Sequence, residues 1–256
     1  MLLSEILEKS NLLSEEEYEI INEKEFETLG LLIADTEQTV CSFLDGEKYL
    51  KDMRDNTVMV ITTEELKEAL LEKNVGICIA KEPRILFFRL HNLLAEDEGY
   101  ARKCVKSVIG NGCRIAKEAV ISENNVFIGN NVVIEEFVVI RENTVIGDNT
   151  IIRAGAKIGG EGFEFKRAEG KIESVKHTGG VVIGRNVEIQ YNTCIDKAVY
   201  PWDNTVVGDN TKIDNLVHIG HAVKLDERII VVAQSGLGGR TIVGPDTWLG
   251  FGTTIS

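Results

Sequence analysis

Long apolar runs are missing from this sequence. No segment approaches the length needed to span a bilayer, and the start, Met1-Leu2-Leu3-Ser4-Glu5, has no basic residue and no extended apolar stretch. A soluble, untargeted, cytoplasmic protein without stable membrane insertion is expected. Cysteine is sparse and odd in number: Cys41, Cys78, Cys104, Cys113 and Cys194, with no Cys-x-x-Cys spacing. This argues against a disulfide framework or a cysteine-based structural zinc site and fits a reducing compartment. Positive charge is also short, with 28 Lys and Arg against 41 Asp and Glu and a formal charge of −13. No nucleic-acid partner is expected, because an extended phosphate-tracking surface needs the opposite balance. A small phosphorylated ligand needs only a local basic or amide-rich patch. Histidine occurs only at His91, His177, His218 and His221, so imidazole chemistry is confined to those four.

What is abundant is a period of six. From Ile183 the series Ile189, Ile195, Pro201, Val207, Ile213, Ile219, Leu225, Val231, Leu237, Val243, Leu249, Ile255 is aliphatic except at Pro201. An earlier series runs Ile109, Ile115, Ile121 and, after a one-residue slip, Ile128, Ile134, Ile140, Ile146, Ile152, Ile158. Neither an amphipathic helix nor an alternating strand has this period, whereas a parallel β-helix of hexapeptide repeats does. The fourth residue after each anchor is small or β-branched (Val132, Thr144, Thr150, Val187, Thr193, Thr205), which suits crowded stacked strands. Gly often follows the anchor, as at Gly129, Gly147, Gly184 and Gly208, where a sharp turn without a Cβ is expected, and Asn or Asp comes soon after. The solenoid is assigned to residues 104–256, with an excursion loop near 159–180 where the register breaks.

Residues 1–103 alternate short apolar runs with helical patterns and read as a small α/β domain. Gly30–Ala34, Thr57–Ile61 and Gly76–Ala80 are expected as strands, Thr63–Lys73 and the stretch from Pro83 through Leu94 as helices. In Cys41–Leu50, Phe43 and Tyr49 flank a turn at Asp45-Gly46. On spacing alone they read as a core ring and a half-exposed strand ring. The other reading is a pair sandwiching a flat heterocycle, about 1 to 3 kcal/mol per ring by analogy with nucleic-acid stacking platforms.

His218 and His221 flank the anchor Ile219 and are expected to project outward from the coil. If residues 18 apart stack at about one strand spacing, His221 has Asp203 one coil before it and Gly239 one coil after. A base, an orienting carboxylate and an oxyanion-facing amide would make an acyl-transfer constellation. Solvated surface residues are the plain alternative. Zinc held by His218 and His221 is a third, but no further histidine stands one or two coils away except His177 in the loop.

Several runs resemble one family. Cys41–Leu50 is similar to the S-F-L-x-N-P-K-Y motif of the UDP-3-O-acylglucosamine N-acyltransferases, hexapeptide-repeat enzymes of lipid A synthesis. Gly162-Phe163, Val182-Ile183-Gly184, Val187-Glu188-Ile189, Asn192-Thr193-Cys194-Ile195-Asp196 and Ile213–Val223 resemble further segments in the family's order. The resemblance implies an α/β N-terminal domain followed by an all-β left-handed parallel β-helix, and a homotrimer with sites in the clefts between solenoids. It implies an acyl group transferred from a thioester, acyl-ACP or acyl-CoA, to the amine of a UDP-linked amino sugar, with no metal and no permanently bound cofactor. His221 becomes the general base, Gly239 the oxyanion amide, and Phe43 with Tyr49 the uracil-holding pair. Asp196 or Asp203 orients His221, and we place His218 and Asn192 with the substrate-binding positions. The departures are Gly46-Glu47 for the family's Asn-Pro, Lys197-Ala198 for Arg-Gly, and a longer aromatic turn at Val199-Tyr200-Pro201-Trp202. The sequence stops at Ser256, short of a further family histidine and the C-terminal helices linked to recruiting acyl carrier protein. From this we expect a longer native chain or a donor handled differently. An acetyl-CoA-dependent N-acetyltransferase of another nucleotide amino sugar, or a lapsed nucleotide-sugar-binding solenoid, are the alternatives.

Overall fold

The computed structural model describes residues 1–10, 12–14 and 17–256, which fall into two units. One is Met1–Ala101 with Glu164–Lys176, and the other is Arg102–Phe163 with His177–Ser256.

In the first unit, β1 (Tyr18–Ile21), β2 (Thr28–Leu29), β3 (Val40–Leu44), β4 (Thr57–Thr62) and β5 (Gly76–Ala80) form a sheet of order β1-β5-β4-β3-β2. Only the β1–β5 pair is antiparallel. Among the described residues three α-helices accompany the sheet: α1 (Leu3–Ser10), α2 (Lys67–Leu71) and α3 (Pro83–Leu94). Proline at its start suits α3, because the first helical N–H has no partner to lose. Two expectations need correction. Gly30–Ala34 is a turn, with the Ala34 N–H donating to Leu31 O at 2.8 Å, and the pairing strands are Thr28–Leu29 and Val40–Leu44. Leu32 is buried although it lies in the turn, and a short apolar run carries no mark that separates a buried turn from a strand. The expected helix Thr63–Lys73 is a 3₁₀ turn, Glu64–Leu66, followed by the short α2. The hairpin Phe165–Ala168 with Lys171–Ser174 belongs to this unit, tied to α3 by Arg89 Nη2 and Nε on Glu173 at 2.7 and 3.1 Å. His91 is fully buried there, its ring nitrogens within 3.1 Å of the Tyr100 hydroxyl and 2.9 Å of Lys176 O.

The second unit is a parallel β-helix of three seven-stranded faces. The first face runs from Val108–Ile109 to Ile242–Val243, the second from Arg114–Ile115 to Trp248–Leu249, the third from Val120–Ile121 to Thr254–Ile255. The anchors Ile128, Ile134, Ile140, Ile146, Ile152 and Ile158 and their successors form one continuous core. In most coils the fourth residue after the anchor is buried as well, and several threonines there donate across the stack: Thr150 to Gly184 O at 2.9 Å and Thr193 to Asp214 O at 2.7 Å in the next coil, and Thr205 to Asp196 O, before it in the chain, at 2.6 Å. A buried hydroxyl needs such a partner.

The expected turn role of the post-anchor glycines is not what the backbone shows. The left-handed residues sit three places after the anchor, at Asn131, Asn143, Asn149, Asn186, Asn192 and Asn210, all with φ between 55 and 63°. Asparagine tolerates that region better than other residues with a Cβ. The glycine after the anchor is needed because the next coil is too close. A Cβ on Gly147 would lie 2.6 Å from both the carbonyl carbon and oxygen of Gly184. Gly147→Ala should therefore destabilise the solenoid by about 1 to 3 kcal/mol in chemical denaturation. Gly236→Ala, where an added Cβ meets nothing within 4 Å, should cost no stability.

Candidate active site

All three breaks in the regular succession of strands occur at one corner, the one joining the third face to the first, beginning with the one-residue slip between Ile121 and Ile128. Ile158 on the third face is followed by Gly180–Ile183 on the first, and Ile195 by Asn204–Val207. Pro201, the odd member of the aliphatic series, therefore lies in an inserted corner segment and anchors no strand. That insertion is buried at Ala198, Val199 and Tyr200, with Tyr200 and Trp202 stacked at 5.8 Å between ring centroids. It packs on the end of the excursion through Thr178 N to Val199 O and Gly179 N to Ala198 O, at 2.9 and 3.0 Å.

His221 stands at the same corner and is buried. Between Ile219↔Leu237 and Leu225↔Val243 the register is an uninterrupted 18 residues, so Gly239 stacks over His221. An added Cβ on Gly239 would lie 2.4 Å from His221 Nε2, so only glycine leaves room for the imidazole. The Arg240 N–H donates to His221 O at 2.9 Å, whereas the Gly239 N–H donates to no acceptor among the described residues. An imidazole and a free backbone N–H thus stand on adjacent coils of one corner.

The 18-residue count does not hold across the insertion, where Ile195 pairs with Ile219. Asp203 is accordingly engaged elsewhere, accepting from Lys224 Nζ at 2.5 Å and from the Asn204 N–H at 2.8 Å. Asp196 is the acid the structure brings among the histidines. Its Oδ2 lies 3.5 Å from His218 Nε2. Burial pushes its carboxyl up, and attraction from His218, His177 and His221 only partly offsets that. Asn192 is placed apart from these groups, at the corner between the second and third faces, as a left-handed turn residue with φ 56°.

Sequence reasoning missed much of the surrounding charge. Lys197 is almost fully buried, with its Nζ 2.8 Å from Glu161 Oε1 and 3.0 Å from Glu142 Oε1. Burial pulls its ammonium down, but the two carboxylates reverse this and leave it raised. Glu161 Oε2 accepts the His177 backbone N–H at 3.2 Å and lies 3.4 Å from His177 Nδ1. Partial burial pushes Glu161 up, yet the hydrogen bonds from His177 and Lys197 prevail and hold it at about 2. The ring of His177 lies edge to face with His221, centroids 5.5 Å apart. One signal for this cluster was available in residue type: Lys197 keeps a cation where the resembling family has Arg. Among the described residues no three His, Cys, Asp or Glu side chains are grouped to hold a metal.

In the first unit, Phe43 ends β3 and Tyr49 lies on the 3₁₀ turn Glu47–Asp52. The two rings make no contact with each other. Phe43 packs on Phe87 and Phe88 at 5.0 and 5.9 Å, with the Arg84 guanidinium 5.6 Å over it, held by Asp45 at 2.7 Å. Tyr49 is 40% exposed with Lys48 Nζ 4.8 Å over its ring. Both stand at the carboxyl end of a parallel strand, where α/β sheets commonly take ligands.

A hexapeptide solenoid with a buried histidine packed against a glycine of the next coil defines the class: an acyltransferase of the hexapeptide type. The family model for bacterial transferase hexapeptide (six repeats) matches residues 125–160. UDP-3-O-acylglucosamine N-acyltransferase of Helicobacter pylori (strain ATCC 700392 / 26695) is 36% identical over 269 residues, covering 98% of this chain and 78% of its own. That of Legionella pneumophila (strain Lens), numbered 2, is 46% identical over 93 residues, 36% of this chain and 26% of its own. A solved UDP-N-acetylglucosamine acyltransferase from Campylobacter jejuni is 27% identical with a TM-score of 0.45, covering 58% of this chain and 57% of that one. The chain belongs to the UDP-3-O-acylglucosamine N-acyltransferase family, and its solenoid is the family's left-handed parallel β-helix.

Because Glu161 ionises more readily in the fold than its usual 4.5, its stabilising share is complete above that value and is lost as pH falls through about 2. The fall in Tm between pH 5 and pH 3 should therefore be smaller in Glu161→Gln than in the unmodified protein.

Proposed function

We propose that the protein moves an acyl group from a thioester donor to the free amine of a UDP-linked amino sugar. The observation that carries this is the His221 imidazole seated directly against Gly239 of the next coil, in a chain of this family. The amine lone pair attacks the thioester carbonyl carbon, and His221 Nε2 takes the proton that the new C–N bond releases. The Gly239 N–H faces the oxyanion that forms, and its value rises because the corner is buried. Collapse breaks the C–S bond, and the imidazolium returns the proton to the departing thiolate. Asp196, beside the histidines, is the orienting acid in this reading. His218, within reach of Asp196, borders the sugar.

Phe43 and Tyr49 hold uracil in the first unit, flanked by Arg84 and Lys48. A strongly acidic chain concentrating two cations beside two rings suits a nucleoside diphosphate. The donor is acyl carrier protein or coenzyme A carrying the acyl group, the enzyme works in the cytoplasm as a homotrimer, and neither metal nor resident cofactor takes part.

The test is mass spectrometry of UDP-amino sugars after incubation with acyl-carrier-protein thioesters and, separately, CoA thioesters. An added acyl mass is expected, reduced about a hundredfold or more in His221→Ala while UDP binding is kept. Sugar binding without an acylated product from either donor would replace the enzyme reading with a binding scaffold. Tyr49→Ala should weaken UDP binding in calorimetry by about tenfold, in line with the loss of one stacking ring. Unchanged affinity would move the nucleotide away from this turn.

A further inference from the structure

The excursion contributes a second, fully buried histidine to the corner that holds His221, and nothing in the reaction above uses it. The His177 side chain is 0% exposed, and a buried imidazole is costly unless its ring nitrogens are committed. One of them is. Glu161 Oε2 lies 3.4 Å from Nδ1 and also receives the His177 backbone N–H at 3.2 Å. The Glu161 carboxylate is itself pinned, by Lys197 Nζ at 2.8 Å, and Lys197 is shared with Glu142 at 3.0 Å. An ionised carboxylate accepts and never donates, so it selects the tautomer of His177 with its proton on Nδ1. In that tautomer Nε2 is an acceptor. The Nε2 edge is the one turned towards Gly162 and His221: an added Cβ on Gly162 would lie 2.6 Å from His177 Nε2 and 3.1 Å from His221 Cβ. Four successive coils thus meet in one line at this corner, Glu142, Glu161 with His177, Lys197, and His221.

We propose that His177 is a positioning residue for His221. Locked by Glu161 and Lys197, it braces the neighbouring imidazole edge to face at 5.5 Å and keeps the Nε2 of His221 against Gly239. It touches neither substrate nor donor. The inference rests on His221 being the base, and it explains why the excursion returns to the solenoid at this point. A regular hexapeptide corner is too short to supply a second imidazole.

The experiment compares His177→Leu, His177→Gln and Lys197→Met in the full chain. In His177→Leu, kcat should fall by about tenfold or more with KM for the UDP-sugar unchanged, because binding in the first unit is untouched. His177→Gln, whose amide reaches about as far as Nε2, should recover part of that loss. Lys197→Met should show the same split between kcat and KM. A kcat unaltered by His177→Leu, or a loss that Gln does not relieve at all in folded protein, overturns the proposal. Nitrogen-15 NMR of the imidazoles gives a readout that needs no turnover. The folded wild type should show one tautomer for His221, and His177→Leu a mixture. Identical His221 signals in the two proteins would also overturn it. If the wild type acylates nothing, the reaction reading fails while the NMR comparison still decides whether His177 positions His221.

Discussion

Adjacent coils of the solenoid approach to one strand spacing, about 4.8 Å, and everything else in the second unit adjusts to that distance. Parallel pairing continues around every face, so each coil's backbone hydrogen bonds are made with the coils above and below. The corners inherit the same spacing without the strands' pleat. A glycine such as Gly147 follows the anchor because a carbonyl of the next coil occupies the place of a Cβ, and a left-handed asparagine closes the turn. The inward Thr150 and Thr193 give their hydroxyls to carbonyls of the next coil, so the interior has no need of water at those points.

Regularity of this kind leaves little room for chemistry. A hexapeptide corner offers one outward residue per coil, and a lone imidazole there would be solvated and poorly oriented. The third corner differs because two insertions gather at it. The excursion supplies Glu161, Gly162 and His177, the inserted segment supplies Lys197 and the stacked Tyr200 and Trp202, and the regular coils supply His221 and Gly239. Burial makes each charge there costly unless paired. Lys197 between two glutamates and Asp196 among three histidines are the two arrangements by which that cost is met. The same low exposure strengthens any hydrogen bond offered to a developing oxyanion.

How much of this was legible in the chain depended on whether a feature is periodic. The period of six disclosed the solenoid, its anchors and the stacking of Gly239 on His221, because no insertion separates those two. The same arithmetic misled at Asp203, since the extra residues from Lys197 to Asp203 shift one side of the corner relative to the other. Asn192, given a substrate-binding place by the resemblance, is also one of the left-handed turn series, with φ 56°. Glu161 and Lys197 carried no spacing signal at all, being 36 residues apart in sequence and joined only by the return of the excursion. In the first unit the helix from Pro83 was readable from its cap and apolar period. The strand Val40–Leu44 was not, because five consecutive residues, four of them buried, show no alternation.

By itself, then, the sequence determined the repeat, the class of fold, the family and the stacking of Gly239 on His221, all of which follow from residue type at a constant interval. Only the tertiary structure decided which acid accompanies the histidines, that Phe43 and Tyr49 do not stack on each other, and that His177, Glu161 and Lys197 form one buried chain of charge. Those facts depend on where two irregular segments return to a regular coil. Such a return is set by packing and by the pairing of buried charges across coils, and no interval along the chain encodes it.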